Sequence, residues 1–175
     1  MSAAFYYVDG IPTKGLWVDL DNIIDTDEVL ELLAKEELIP RNEDDEPDYD
    51  GDLLVADIEG DLAKCFYSSS VDGFDLDDFI EVRDYCDGDE DKEEAVAAFI
   101  DNMSSGSFSE SDFESSYCGK WSSEEEYAEN LVEELGYLDQ MPENLRYYFD
   151  YEKFAYDLFI NDFYFADGHV FNRNY

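Results

Sequence analysis

A chain of 175 residues with 48 Asp and Glu against 10 Lys and Arg carries a formal net charge of −38, which excludes a nucleic-acid binder because phosphates are repelled. Its 14 Tyr, 13 Phe and 2 Trp exclude a disordered acidic tail, because that much aromatic surface has to be buried. The apolar stretches run only a few residues, too short for a transmembrane helix, and residues 1–17 lack the basic region and apolar core of a signal peptide.

Phe5–Val8 and Gly15–Leu20 read as strands, with Gly10 and Pro12 supplying the turn between them. Thr26 is the expected N-cap of a helix whose apolar side is Val29, Leu30, Leu32 and Leu33 and which ends near Glu37. An acidic loop, 40–52, leads to a third strand, Leu53–Ile58. Residues 1–60 thus read as a three-stranded sheet with one helix. Residues 61–106 read as helical and without strand signal: Leu62, Cys65 and Phe66 fall at helical spacing. Leu76, Phe79, Ile80, Val82 and Arg83 follow a cap at Asp75, and Glu93–Met103 forms a further helix after a turn at 87–91. Ser104–Ser107 (SSGS) reads as a linker.

In residues 107–175, Phe113–Trp121 contains a strand signal. Ser123-x-x-Glu126 is a capping box opening a helix with Tyr127, Leu131 and Leu135 on one face and Gly136 as its stop. Pro142 begins a turn, and Asp150–Asn161 is amphipathic with Phe154, Leu158 and Phe159 on one side. Asp167-Gly168 sits between Phe163–Phe165 and His169–Phe171 as a hairpin signal. The fold class is α+β, in three small segments: 1–60, 61–106 and 107–175.

The charge is not a tail. The three segments hold 18 acids and 3 bases, 14 and 3, and 16 and 4, for net charges of −15, −11 and −12. At the charge density of duplex DNA, 38 charges correspond to about 19 base pairs, or about 65 Å of helix. A compact globule of this length is only about 40 Å across. An elongated body lowers the self-repulsion and matches a duplex, so the expected partner is a basic nucleic-acid channel. The acid-rich surface of a halophilic protein explains the charge but not the aromatic load.

No catalytic constellation is visible. His169 is a lone histidine placed in a hairpin turn; no GxGxxG, P-loop or nucleophile elbow occurs, and no carboxylate pair stands out among 48. The expectation is a protein that is not an enzyme and has no cofactor and no metal. The segment from Glu46 to Asp57 approaches a calcium loop, but Glu at its first position, Asp at its twelfth, and Pro47 depart from that pattern. Cys65, Cys86 and Cys118 have no CxxC spacing and read as small buried thiols of a reducing, cytoplasmic protein.

Three segments carry a family resemblance. GLWVDL at Gly15–Leu20, followed by Asp57-Ile-Glu-Gly60, resembles the first domain of the ArdA antirestriction proteins of mobile genetic elements. EEEYAENLVEELG at Glu124–Gly136 resembles that family's antirestriction motif, and residues 147–171 resemble its C-terminal signature. Tyr156 departs from it, standing where the family usually has Arg. The resemblance implies an elongated molecule of three small domains, a homodimer through the C-terminal domain, and inhibition of type I restriction–modification enzymes in the bacterial cytoplasm by occupation of their DNA groove. A dimer would carry −76, equivalent to about 38 base pairs.

On that reading the phosphate-mimicking carboxylates are Asp44, Asp45, Glu46, Asp48, Asp75, Asp77, Asp78, Asp87, Asp89, Glu90, Asp91, Glu93, Glu124, Glu125, Glu129 and Glu133. Residues 147–175 hold twelve aromatics, Tyr175 among them, more than a small domain can bury. Tyr147, Tyr148, Phe149, Phe163, Phe165 and Phe171 are therefore the expected dimer contacts. The alternatives are a mimic directed at another DNA-binding protein, such as a CRISPR effector or nucleoid protein, and a halophilic or calcium-binding acidic protein.

Overall fold

The computed structural model describes residues 2–8, 10–11, 13–103 and 107–174. Pro12, three residues of the SSGS segment (104–106) and Tyr175 lie outside them. The chain divides into two compact units, Met1–Ala97 and Ala98–Tyr175. Residues 61–97 fall within the first of these units.

The first unit is built on an antiparallel sheet of β1 (Ala3–Tyr7), β2 (Gly15–Asp19) and β3 (Leu54–Glu59), in the order β2-β1-β3. Ala4, Tyr6, Val18 and Val55 are buried, whereas Phe5 pairs with the exposed Trp17 across the strands, ring centroids 5.7 Å apart. Gly15 is required there: a Cβ would collide with the Tyr6 carbonyl and the Phe5 ring. Helix α1 (Thr26–Lys35) buries Val29, Leu33 and Ala34. Its cap is Asp25, not Thr26: the Asp25 carboxylate accepts from Glu28 N–H at 2.9 Å, and Thr26 is already helical.

After β3 come α2 (Asp61–Lys64), a hairpin of β4 (Tyr67–Ser68) and β5 (Gly73–Phe74), α3 (Leu76–Cys86) and α4 (Glu90–Asp101). The hairpin corrects the expectation of a strand-free middle segment; two residues per strand are too few to display alternation. Helix α3 begins at the expected Asp75 cap, and α4 starts three residues earlier than expected, with Asp89 accepting from Lys92 N–H. Three ties join this segment to the sheet. The Arg83 guanidinium donates to the Leu20 and Ile23 carbonyls at 2.8 and 2.7 Å, Tyr7 O–H donates to Asp72 at 2.6 Å, and Val55 N–H donates to the Asp72 carbonyl at 2.7 Å.

The second unit has a sheet of β6 (Tyr117–Lys120), β7 (Phe163–Ala166) and β8 (His169–Asn172), antiparallel, in the order β6-β8-β7. Its helices are α5 (Glu110–Ser116), α6 (Glu124–Glu134), α7 (Glu143–Arg146) and α8 (Tyr151–Asn161). Helix α5 occupies the first part of the span expected to be a strand, capped by Ser109. The β7–β8 hairpin turns at Asp167 (φ 49°) and Gly168 (φ 85°), as the Asp-Gly pair requires.

Central strand β8 is buried on both faces. Val170 packs with Tyr127 and Phe159. Phe171 packs on the other face with Phe99, Phe113, Tyr117 and Tyr164. His169 is a fully buried strand residue rather than a turn residue, with its Nδ1 3.1 Å from Tyr117 O–H. Phe171 is likewise enclosed, so its ring belongs to the interior and not to a dimer interface.

Candidate partner-binding surface

Fourteen of the sixteen candidate carboxylates sit on loops, caps and first turns of helices, and Glu129 and Glu133 lie further along α6; all are exposed except Glu93, which is half-buried. The first group lies on the loop after α1. There Asn42 Oδ1 accepts from the backbone of both Asp44 and Glu46 at 2.9 Å, and Asp45 adopts φ 65°, so a rigid turn carries the acids. Arg41 pairs with Glu31 at 2.7 Å and with Asp45 at 3.8 Å.

The second group gathers at the starts of α3 and α4. Asp75 and Asp89 cap these helices, and Asp77, Asp78, Glu90, Asp91 and Glu93 follow in the first turns, where the helix dipole favours negative charge. A cleft of about 470 Å³ is lined by Asp21, Asp84, Asp87, Glu90 and Glu93, with Arg83 as its cation. Burial first, and then the neighbouring Asp21, Glu90 and Asp89, push the Glu93 carboxyl up from its ordinary value. Asp21 and Asp84 were absent from the sequence candidates. They join this cleft through folding alone, since Arg83 draws the turn after β2 onto α3.

The third group is on α6. Ser123 accepts from Glu126 N–H at 3.1 Å, but the returning arm of the capping box lands one residue earlier. Glu126 accepts from Ser122 N–H at 2.8 Å and from Ser122 O–H at 2.6 Å, and these bonds lower its pKa. Tyr127, Ala128 and Val132 form the buried stripe and Leu135 is exposed, so the apolar face is rotated from the expected one. Glu124, Glu125, Glu129 and Glu133 point to solvent.

Beyond α6 the surface becomes aromatic. Tyr147 is 88% and Tyr148 78% exposed, and Leu145 and Tyr137 are exposed as well. Phe149, Phe163 and Phe165 are half-buried. Of the cysteines, Cys86 is buried, which raises its pKa to about 11, while Cys65 and Cys118 are half-buried. Among the described residues no group of His, Cys, Asp and Glu is arranged to hold a metal ion, and no helix is long and apolar enough to cross a membrane.

An α+β scaffold that spreads carboxylates over both of its units defines a class of acidic surface proteins. A sequence model of the family described as "Antirestriction protein (ArdA)" matches residues 5–172, and the chain belongs to that family. No curated protein and no solved structure matches it.

Proposed function

We propose that this antirestriction protein acts as a DNA mimic: it binds type I restriction–modification enzymes in their DNA-binding groove and competes with DNA for it. The observation that carries this reading is the spread of exposed carboxylates over both units under a net charge of −38. Carboxylates take the place of phosphates against the enzyme's Lys and Arg, steering speeds the encounter, and ions released from both surfaces help to drive association. The protein works stoichiometrically, in the bacterial cytoplasm, without catalysis.

The exposed Tyr147 and Tyr148, with half-buried Phe149, Phe163 and Phe165, supply the contact surface of a homodimer. The apolar character of that patch offsets the repulsion between two strongly negative chains. The test is cleavage of unmodified DNA by a purified type I enzyme, with the protein titrated in at rising salt. Inhibition should fall steeply with salt and be relieved by excess duplex. Ready formation of a ternary complex of protein, enzyme and duplex would refute competition.

A further inference from the structure

The second unit holds a groove of about 690 Å³ lined by the first turns of two helices. Glu124 and Glu125 open α6, and Ser122 and its cap Ser123 precede it. Glu152, Lys153, Ala155 and Tyr156 come from α8, Asp150 from its cap, and Phe165 from β7. Its apolar wall is buried Ala155, half-buried Phe165 and the Tyr156 ring, which is 64% exposed. Its rim is four carboxylates. Asp150 is the α8 cap and accepts from Lys153 N–H at 3.0 Å. Glu124, Glu125 and Glu152 form no ion pair among the described residues.

Charge decides what the groove takes. Two helix N-termini contribute about +0.5 each, and Lys153 adds +1. Four carboxylates outweigh these by about two charges, so an anion is rejected and a cation is drawn in. The cation meets the exposed Tyr156 ring, with half-buried Phe165 also in the lining. A planar guanidinium is served by both parts, because it stacks on a ring while its N–H fork donates to carboxylates. An ammonium uses the charge but gains less from the ring.

We infer that this groove receives an arginine side chain from the DNA-binding surface of the inhibited enzyme, with Tyr156 as the stacking wall and Glu124, Glu125 and Glu152 as acceptors. The identity of the partner rests on the function proposed above; the choice of guanidinium rests on the groove. It gives the acidic surface one discrete anchor among many diffuse contacts.

The test uses the full-length protein and two blocked tripeptides, acetyl-Gly-Arg-Gly-amide and acetyl-Gly-Lys-Gly-amide, followed by NMR. The arginine peptide should shift Ser123, Ala155 and Phe165 saturably and bind more tightly than the lysine peptide. Tyr156→Ala should weaken it about fivefold, the loss of one cation–π contact. Tyr156→Phe should retain it, and Tyr156→Arg, which places a cation in the groove, should abolish it. Shifts spread evenly over the acids of both units, or a Tyr156→Ala protein that binds like the wild type, would overturn the inference.

A parallel titration of a type I enzyme separates the two readings. Wild-type inhibition that Tyr156→Ala leaves unchanged sinks the groove and spares the antirestriction mechanism. Arginine-selective binding without any inhibition keeps the groove and sinks the restriction-enzyme partner.

Discussion

Replacing Arg83 by Met should cost the first unit about 4 kcal/mol of stability at low salt. The side chain is only 15% exposed, and its guanidinium donates to two main-chain carbonyls, those of Leu20 and Ile23, as well as to Asp84. Hydrogen bonds from a charged donor are worth about 1.5–3 kcal/mol each, and methionine satisfies neither carbonyl. The cleft also loses its cation while keeping Asp21, Asp84, Asp87, Glu90 and Glu93. A contact between unit charges at 4 Å in water is worth about 1 kcal/mol, and 1 M salt shortens the screening length to about 3 Å. The deficit should therefore shrink to about 3 kcal/mol in 1 M NaCl. Arg83→Lys keeps the charge but lacks the planar fork, and should lose about half as much. Urea unfolding followed by fluorescence reads this directly, because Trp17 lies in the first unit and Trp121 in the second. A Trp121→Phe background isolates the relevant signal. A loss below about 0.5 kcal/mol, or a Lys variant equal to the wild type, would refute the assignment of Arg83 as a stabilising tie between α3 and the turn after β2.

Neutralising a single exposed acid should change inhibition less than about fivefold, since exposed ion pairs contribute about 0–1 kcal/mol each. Asp89→Asn is the cleanest case, because asparagine still caps α4; removing the charges of a whole group, such as 87–93, should weaken inhibition far more, measured in the same DNA-cleavage titration. Glu93 has a raised folded pKa, so the folded state binds its proton more readily than the unfolded state and ionisation opposes folding. Glu93→Gln should therefore raise the melting temperature near neutral pH, and the difference should vanish as pH falls below the ordinary glutamate value; a variant less stable at pH 7 would contradict this. Replacing Tyr147 and Tyr148 by Ser should convert a dimer to a monomer in sedimentation, and dimerisation of the wild type should strengthen with salt, opposite to enzyme binding. A wild-type chain that stays monomeric at high salt would remove these tyrosines from the interface.

Elements closed by local chemistry were legible in the sequence. Asp75, Ser123, Gly136 and Asp167-Gly168 act through contacts with residues only a few positions away, so the sequence reads their roles directly. Elements that depend on context were not. The β4–β5 hairpin is too short for any period, and α5, serine-rich and seven residues long, has weak helical preference. The site divides the same way. That the acids are exposed follows from their number, because 48 carboxylates cannot be buried in 175 residues. Their grouping does not follow: Asp21 and Asp84 are 63 positions apart and share a cleft only because α3 packs near the turn after β2. Nor do Asp150 and Glu152 reveal in sequence that they face Glu124 and Glu125 across a groove.

The use of aspartate as a helix cap divides the acids by what may replace them. Asp25, Asp75, Asp89 and Asp150 each reach the main-chain N–H three residues ahead, and that reach belongs to the short side chain. A glutamate carries the same charge on a longer stem and fits this bond less well, whereas asparagine fits it without the charge. Acids that only present charge to a partner obey the opposite rule: aspartate and glutamate interchange, and the amide fails. Across a family of such proteins, the surface can therefore drift freely between its two carboxylates while the helix starts stay with short polar side chains. The pattern of permitted exchange at each position then tells, without any structure, whether a given negative charge holds the molecule together or faces its target.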